Sequence, residues 1–289
     1  MASVAHSSVA RSATIAQVAP AVHRGALASA LVLIAAGCVL TAATVSFKQT
    51  LLFAIGVGAG VVLYHAAFGF TSSWRDLIAH GRGGGLRAQM LMLGVTTAVF
   101  VPLIAQGSIF GQAVRGSVAP AGIPVIAGAF LFGVGMQLGG GCASGTLFSA
   151  GGGSVRMVAT LAAFILGSVF GIRYAGIWDG APALRPLSLV GELGPMPALI
   201  VSLAGFAAIW WISIAIERRR RGIVEADRAA GSWRALHGPW TLAAGALGLA
   251  VVNISTLLVA GRPWGVTAAF ALWGSKALMA VGVDVASWP

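Results

Sequence analysis

The chain alternates between long apolar runs and short polar breaks. Runs of about 20 apolar residues can cross a hydrocarbon core about 30 Å thick. Eight such runs are placed at 25–46, 50–70, 88–107, 121–139, 157–177, 196–216, 239–260 and 264–283. They are unbroken, which predicts helices, whereas outer-membrane strands would show period-two segments of about ten residues. Trp74, Trp178, Trp210, Trp240 and Trp264 lie near the ends of runs, where interfacial aromatics are expected. Between Arg115 and Arg156 stand 40 residues without one charge, holding the densest glycine cluster in the chain. That is too long for one span. A span followed by a short re-entrant segment is expected, because non-helical backbone at depth is tolerated only where protein or a watery cavity satisfies it. The fold class predicted is an all-α polytopic membrane protein, with about eight transmembrane helices plus a Gly-rich re-entrant segment.

Composition agrees with the pattern and removes the soluble alternative. Of 289 residues, 58% are hydrophobic and 9% charged, with mean hydropathy +0.91, against about a quarter charged in soluble domains. The 41 glycines suit helices whose backbones pack closely in a bilayer. Net charge is +11. On a membrane protein this reads as the positive-inside bias of cytoplasmic loops, so the lipid bilayer is the expected partner and nucleic acid is not. The basic residues concentrate in loop 75–87 (Arg75, Arg82, Arg87) and loop 217–236 (Arg218 to Arg221, Arg228, Arg234). Placing both loops in the cytoplasm needs an even number of crossings between them. Four full spans satisfy this, with the N-terminus inside, and a re-entrant hairpin over 121–150 would flip the parity.

Residues 1–24 read as an N-terminal tail without an acidic residue. The apolar run that follows is too long for a signal-peptide core and is expected to stay as the first span. An internal repeat at an offset of about 213 residues lays Gly25–Trp74 over Gly238–Trp288. This gives a first transmembrane repeat over 25–216 with a cysteine loop at 133–154, a basic cytoplasmic loop over 217–236, and the start of a second repeat over 237–289. Repeats in transporters come as complete halves, so the second copy is expected to be truncated.

The chemistry lies in Gly133–Ser154, where glycine triplets at 139–141 and 151–153 bracket Cys142, Ser144, Thr146 and Ser149. Glycine permits left-handed turns and close approach of backbone to a ligand. A helix starting after Gly141 would aim free N–H groups and its positive end at whatever sits beside Cys142, which suits an anion. No Gly-Lys-Ser/Thr ending follows, so a nucleotide loop is not expected. A neutral Cys142 could donate S–H to a passing sulfur atom, and the bland reading is a small buried hydrophobe. Gly140, Gly141, Ser144, Gly145 and Thr146 would complete the pathway, with Gln137 one turn earlier.

Gly139-Gly-Gly-Cys-Ala-Ser-Gly145 resembles the first cysteine motif of the YeeE/YedE family of bacterial sulfur-transport membrane proteins. Phe68-Gly-Phe-Thr-Ser-Ser-Trp-Arg75 with Gly81-Arg-Gly and Leu86-Arg-Ala-Gln-Met90 is similar to that family too. So is Gly261-Arg-Pro-Trp-Gly-Val-Thr267 with Leu272-Trp-Gly-Ser-Lys276, which matches the opening of the family's second half. The resemblance implies an inner-membrane permease for thiosulfate or a related sulfur anion, with Cys142 matching the pore cysteine of the first half. The family's second-half cysteine has no counterpart in this chain. A cytosolic sulfur-carrier protein is the partner the family implies. The alternatives are a membrane sulfur-transfer enzyme that forms a Cys142 persulfide for a carrier, or a structural membrane subunit without transport of its own.

Secondary candidates are Cys38 in the first span, His65 in the second and Lys276 in the last, each with a packing, hydrogen-bonding or snorkelling reading beside it. Asn253 reads as an interhelical hydrogen bond. Arg87 and Arg156 read as membrane anchors or as cations at an entrance. Gly56/Gly60, Gly135/Gly139 and Gly167/Gly171 read as helix-packing pairs. The two cysteines imply neither a disulfide framework nor a metal site, and five scattered histidines give no ligand spacing. No cofactor and no enzymatic constellation is expected.

Overall fold

A computed structural model describes residues 24–225, 239–285 and 288. Most of the expected tail over 1–24, and Asp227, Arg228 and Arg234 of the basic loop, lie outside the described residues. The helices are α1 (Arg24–Thr44), α2 (Phe47–Ala66), α3 (Phe70–His80), α4 (Gly84–Gln106), α5 (Ile123–Gly139), α6 (Ala143–Gly151), α7 (Val155–Arg173), α8 (Leu189–Leu193), α9 (Pro195–Arg221), α10 (Leu242–Ala260) and α11 (Val266–Ala280). The strands β1 (Ser108–Ile109) and β2 (Gln112–Ala113) form a small hairpin. Among the described residues, seven helical stretches are long and apolar enough to cross a membrane, and α11 is a shorter apolar helix.

Local signals set the boundaries. The side chains of Ser46 and Thr241 accept from the backbone N–H of Gln49 and Ala244, capping α2 and α10. Left-handed glycines at 81, 107, 140, 222 and 261 end α3, α4, α5, α9 and α10. The amphipathic α3 lies within what the hydropathy pattern treats as a loop, because at 11 residues it is too short to register as a span.

The core is formed where α2, α4 and α10 meet, through Val62, Ala66, Phe68, Ala88, Ala246 and Leu249. The approach of α10 to α2 requires Gly245 and Gly248, whose missing side chains leave room for Ala66 and Val62. A second cluster of Leu77, Leu86 and Met90 with Trp74, Phe206 and Trp210 fastens α3 and α4 to α9. α11 lies on α7, with Gly274 against Val169 and Ile165. By contrast Gly56, Gly60, Gly135, Gly167 and Gly171 meet nothing within 4 Å among the described residues. Gly139, unlike its expected partner Gly135, stands against Thr160, and the other close contacts are made by single glycines.

The two basic segments meet at one end of the bundle. Arg87 at the start of α4 pairs with Glu217 near the end of α9 at 2.5 Å. Arg82 and Arg221 both pair with Glu225, and Arg220 donates to the Ile78 carbonyl at 2.6 Å. An even number of crossings therefore separates the segments. Arg87 is buried in that pair, neither a lipid anchor nor an entrance cation. At the opposite end, Lys48 donates to Gln112 at 2.8 Å, tying α2 to the hairpin.

Candidate functional site

The Gly133–Ser154 segment folds as a helix, a tight break and a short helix. α5 runs down to Gly139, and Gly140 turns the chain with φ +81°. α6 begins after Cys142 and ends at Gly151. Its nine residues reach about 13 Å, less than half the hydrocarbon thickness. α6 packs between α2 and α7, and together with α5 it makes one broken apolar stretch, Ile123–Gly151. Gly152 passes close to Tyr64, which a Cβ there would meet at 2.9 Å.

Cys142 occupies the N-cap position of α6 with extended backbone, yet its side chain makes no capping bond. A Ser, Thr, Asp or Asn there would accept from the first turn. The thiol instead lies 3.4 Å from the Ser144 hydroxyl. Thr146 N–H donates to the Cys142 carbonyl at 2.8 Å and closes the first helical bond. The amides of Ala143, Ser144 and Gly145 precede that bond and have no intrahelical acceptor. Gly141 and Gly145 are buried against this turn, and a Cβ on Gly141 would stand 3.3 Å from Thr146 N. Thr146 is fully buried, and its hydroxyl has no partner among the described residues.

Two cavities meet beside this turn. The larger, about 680 Å³, runs between α1, α2 and α6 and is lined by Tyr64, His65, Phe148 and Gly152 among others. The smaller, about 240 Å³, lies among α2, α4 and α10 and is lined by Phe68, Phe70, Gln89, Met92, Leu249 and Asn253. Ala59, Leu63, Ser144, Trp264 and Val266 border both. Ser144, the hydrogen-bond neighbour of the thiol, thus stands at the junction. Trp264 follows the turn from α10 toward α11, where it stays exposed while bordering both cavities.

The remaining candidates disperse. Gln137 sits on the exposed side of α5 and lines neither cavity. Cys38 is half-buried on α1, and Lys276 is exposed on α11; neither borders the cavities. His65 lines the larger cavity, with Nδ1 2.9 Å from the Val61 carbonyl and its ring 5.4 Å from that of Trp240. Asn253 donates to Leu249 within its own helix at 2.9 Å, where an interhelical bond was expected. Arg156 lies over the break, and its guanidinium would meet a Cβ on Gly140 at 2.6 Å. Gln89 was quoted in the sequence only as part of a motif. It is 3% exposed, and its Oε1 has no partner among the described residues. A buried carboxamide so placed costs about 1–3 kcal/mol. The sequence signal for it was one amide in an otherwise apolar run.

Gly140→Ala is expected to cost about 1–2 kcal/mol, because a side chain at that left-handed φ is strained and Arg156 must move. A lowered unfolding midpoint in detergent checks it, and an unchanged midpoint contradicts it.

Long apolar helices and a glycine-hinged break that places a thiol at a helix start define a multi-pass membrane protein of the bacterial inner-membrane type. Residues 65–288 match the family described as Sulphur transport, and the chain belongs to it. It is similar to the probable transporter YedE of Escherichia coli (strain K12), with 31% identity over 171 residues, 57% of this chain and 40% of that one. It is also similar to the probable transporter YedE of Salmonella typhimurium (strain LT2), with 30% identity over 191 residues, 63% of this chain and 45% of that one. The aligned stretch spans less than half the length of either relative.

Proposed function

We propose that the protein is a permease for a sulfur-containing anion, thiosulfate in the first instance, which passes the Cys142 thiol by hydrogen bonding without covalent change. The observation that carries this reading is the junction at Ser144, where two cavities meet beside an uncapped helix start bearing a thiol. Open first-turn amides favour an anion. The thiol adds a soft, weak donor matched to a terminal sulfur atom. An ordinary cap would occupy one of these amides, so a cysteine at the N-cap keeps all of them available.

Purified protein in liposomes is expected to take up radiolabelled thiosulfate at a higher rate than sulfate. Mass spectrometry of the same samples is expected to find Cys142 without an added sulfur atom. A persulfide on Cys142, formed without accumulation of the anion inside, would instead establish sulfur transfer.

A further inference from the structure

The smaller cavity has chemistry that passage along the thiol does not use. Its lining is apolar except for Gln89, Ser144 and Asn253, and no charged side chain borders it. Gln89 is held with its hydrogen-bonding capacity unspent. Its Nε2 reaches only the Gly69 carbonyl, at 3.5 Å. That oxygen already accepts from Ser73 N at 3.2 Å, Ser73 Oγ at 2.7 Å and Ser72 Oγ at 3.1 Å, so the Gln89 bond is the longest on a crowded acceptor. Gln89 Oε1 has no partner among the described residues. Asn253 gives one amide hydrogen to Leu249 O at 2.9 Å and keeps a second hydrogen and its carbonyl.

We propose that Gln89 and Asn253 form a second binding station for the sulfur oxyanion in this cavity, with Ser144 handing the ion over from the Cys142 thiol. The inference rests on the permease reading above. A partly hydrated oxyanion fits both kinds of group. Its oxygens accept from Ser144 Oγ–H and the second Asn253 amide hydrogen, and a retained water donates to Gln89 Oε1 once that side chain turns from the position in which the oxygen is fully buried. With dipoles and no fixed charge, the station holds the ion loosely enough to release it, as conduction through successive sites requires. Ser144 borders both cavities, so the ion can form its bonds at the station before it leaves the thiol.

Equilibrium binding of thiosulfate by calorimetry and uptake in liposomes, measured side by side, test the proposal. Gln89→Met and Asn253→Leu keep side-chain volume and remove the amide. Asn253→Leu is expected to weaken thiosulfate affinity about tenfold, the loss of one hydrogen bond to a charged ligand, and Gln89→Met by a smaller factor, the loss of the acceptor for a bridging water. Gln89→Met is expected to leave the melting temperature unchanged or raised, since it deletes an unsatisfied buried group. Cys142→Ala is expected to bind at the station while transporting nothing. Wild-type affinity in both amide variants overturns the station and leaves the permease reading standing. Binding by the wild-type protein without uptake overturns the permease reading and leaves the station, and absence of wild-type binding overturns both.

Discussion

Replacing Glu217 with alanine is expected to destabilise the protein by about 3–5 kcal/mol, because it leaves the Arg87 guanidinium buried without its counter-charge. Glu217 is completely buried and Arg87 nearly so, at a spacing of 2.5 Å. The pair is embedded in further bonds: Glu217 Oε1 accepts from Glu225 N–H at 3.3 Å, and Arg87 Nη2 donates to the Glu225 carbonyl at 3.4 Å. Gly83 makes room for it, since a Cβ there would stand 2.7 Å from Arg87 Nη1 and 3.1 Å from the Ser213 carbonyl. Loss of half this network releases α4 from the end of α9. The measurable result is a steep drop in folded membrane protein and in melting temperature. The double variant Arg87→Met with Glu217→Leu is expected to recover much of the loss, because replacing a whole buried ion pair by apolar groups is often neutral. Equal damage in the single and double variants would contradict the account.

The second large effect is on transport. Cys142→Ala is expected to abolish thiosulfate uptake with the protein still folded in the membrane, because the thiol packs as a small side chain whose only side-chain hydrogen-bond neighbour among the described residues is Ser144. Cys142→Ser sharpens the test. A serine at this N-cap can accept from the first-turn amides and is expected to stabilise α6 by about 1 kcal/mol. The same bond occupies one of the amides that the anion needs. Greater stability with lost uptake is therefore the expected signature, one that a purely structural cysteine would not give.

The sequence made the spans legible because hydropathy over about 20 residues is set by the bilayer itself. α1, α2, α4 and α10 lie close to their expected positions. The break at Gly140 and the helix start at Cys142 were legible for the same kind of local reason, a glycine triplet that cannot continue a helix cheaply. What hydropathy could not show was partnership. Arg87 and Glu217 are 130 residues apart, and each reads as a loop charge until the fold closes them on one another. The glycine pairs show the same limit: spacing says that two glycines share a helix face, not which neighbour that face meets. Gln89, Asn253 and Trp264 became site residues only when α2, α4 and α10 enclosed a cavity among them.

The account's central claim is that an anion passes at the Cys142 thiol, and the initial rate of radiolabelled thiosulfate uptake into liposomes tests it most directly. Wild-type, Cys142→Ala and Cys142→Ser proteins would be compared at matched amounts of folded protein. The account predicts uptake by the wild type alone, whereas undiminished uptake by Cys142→Ala would contradict it.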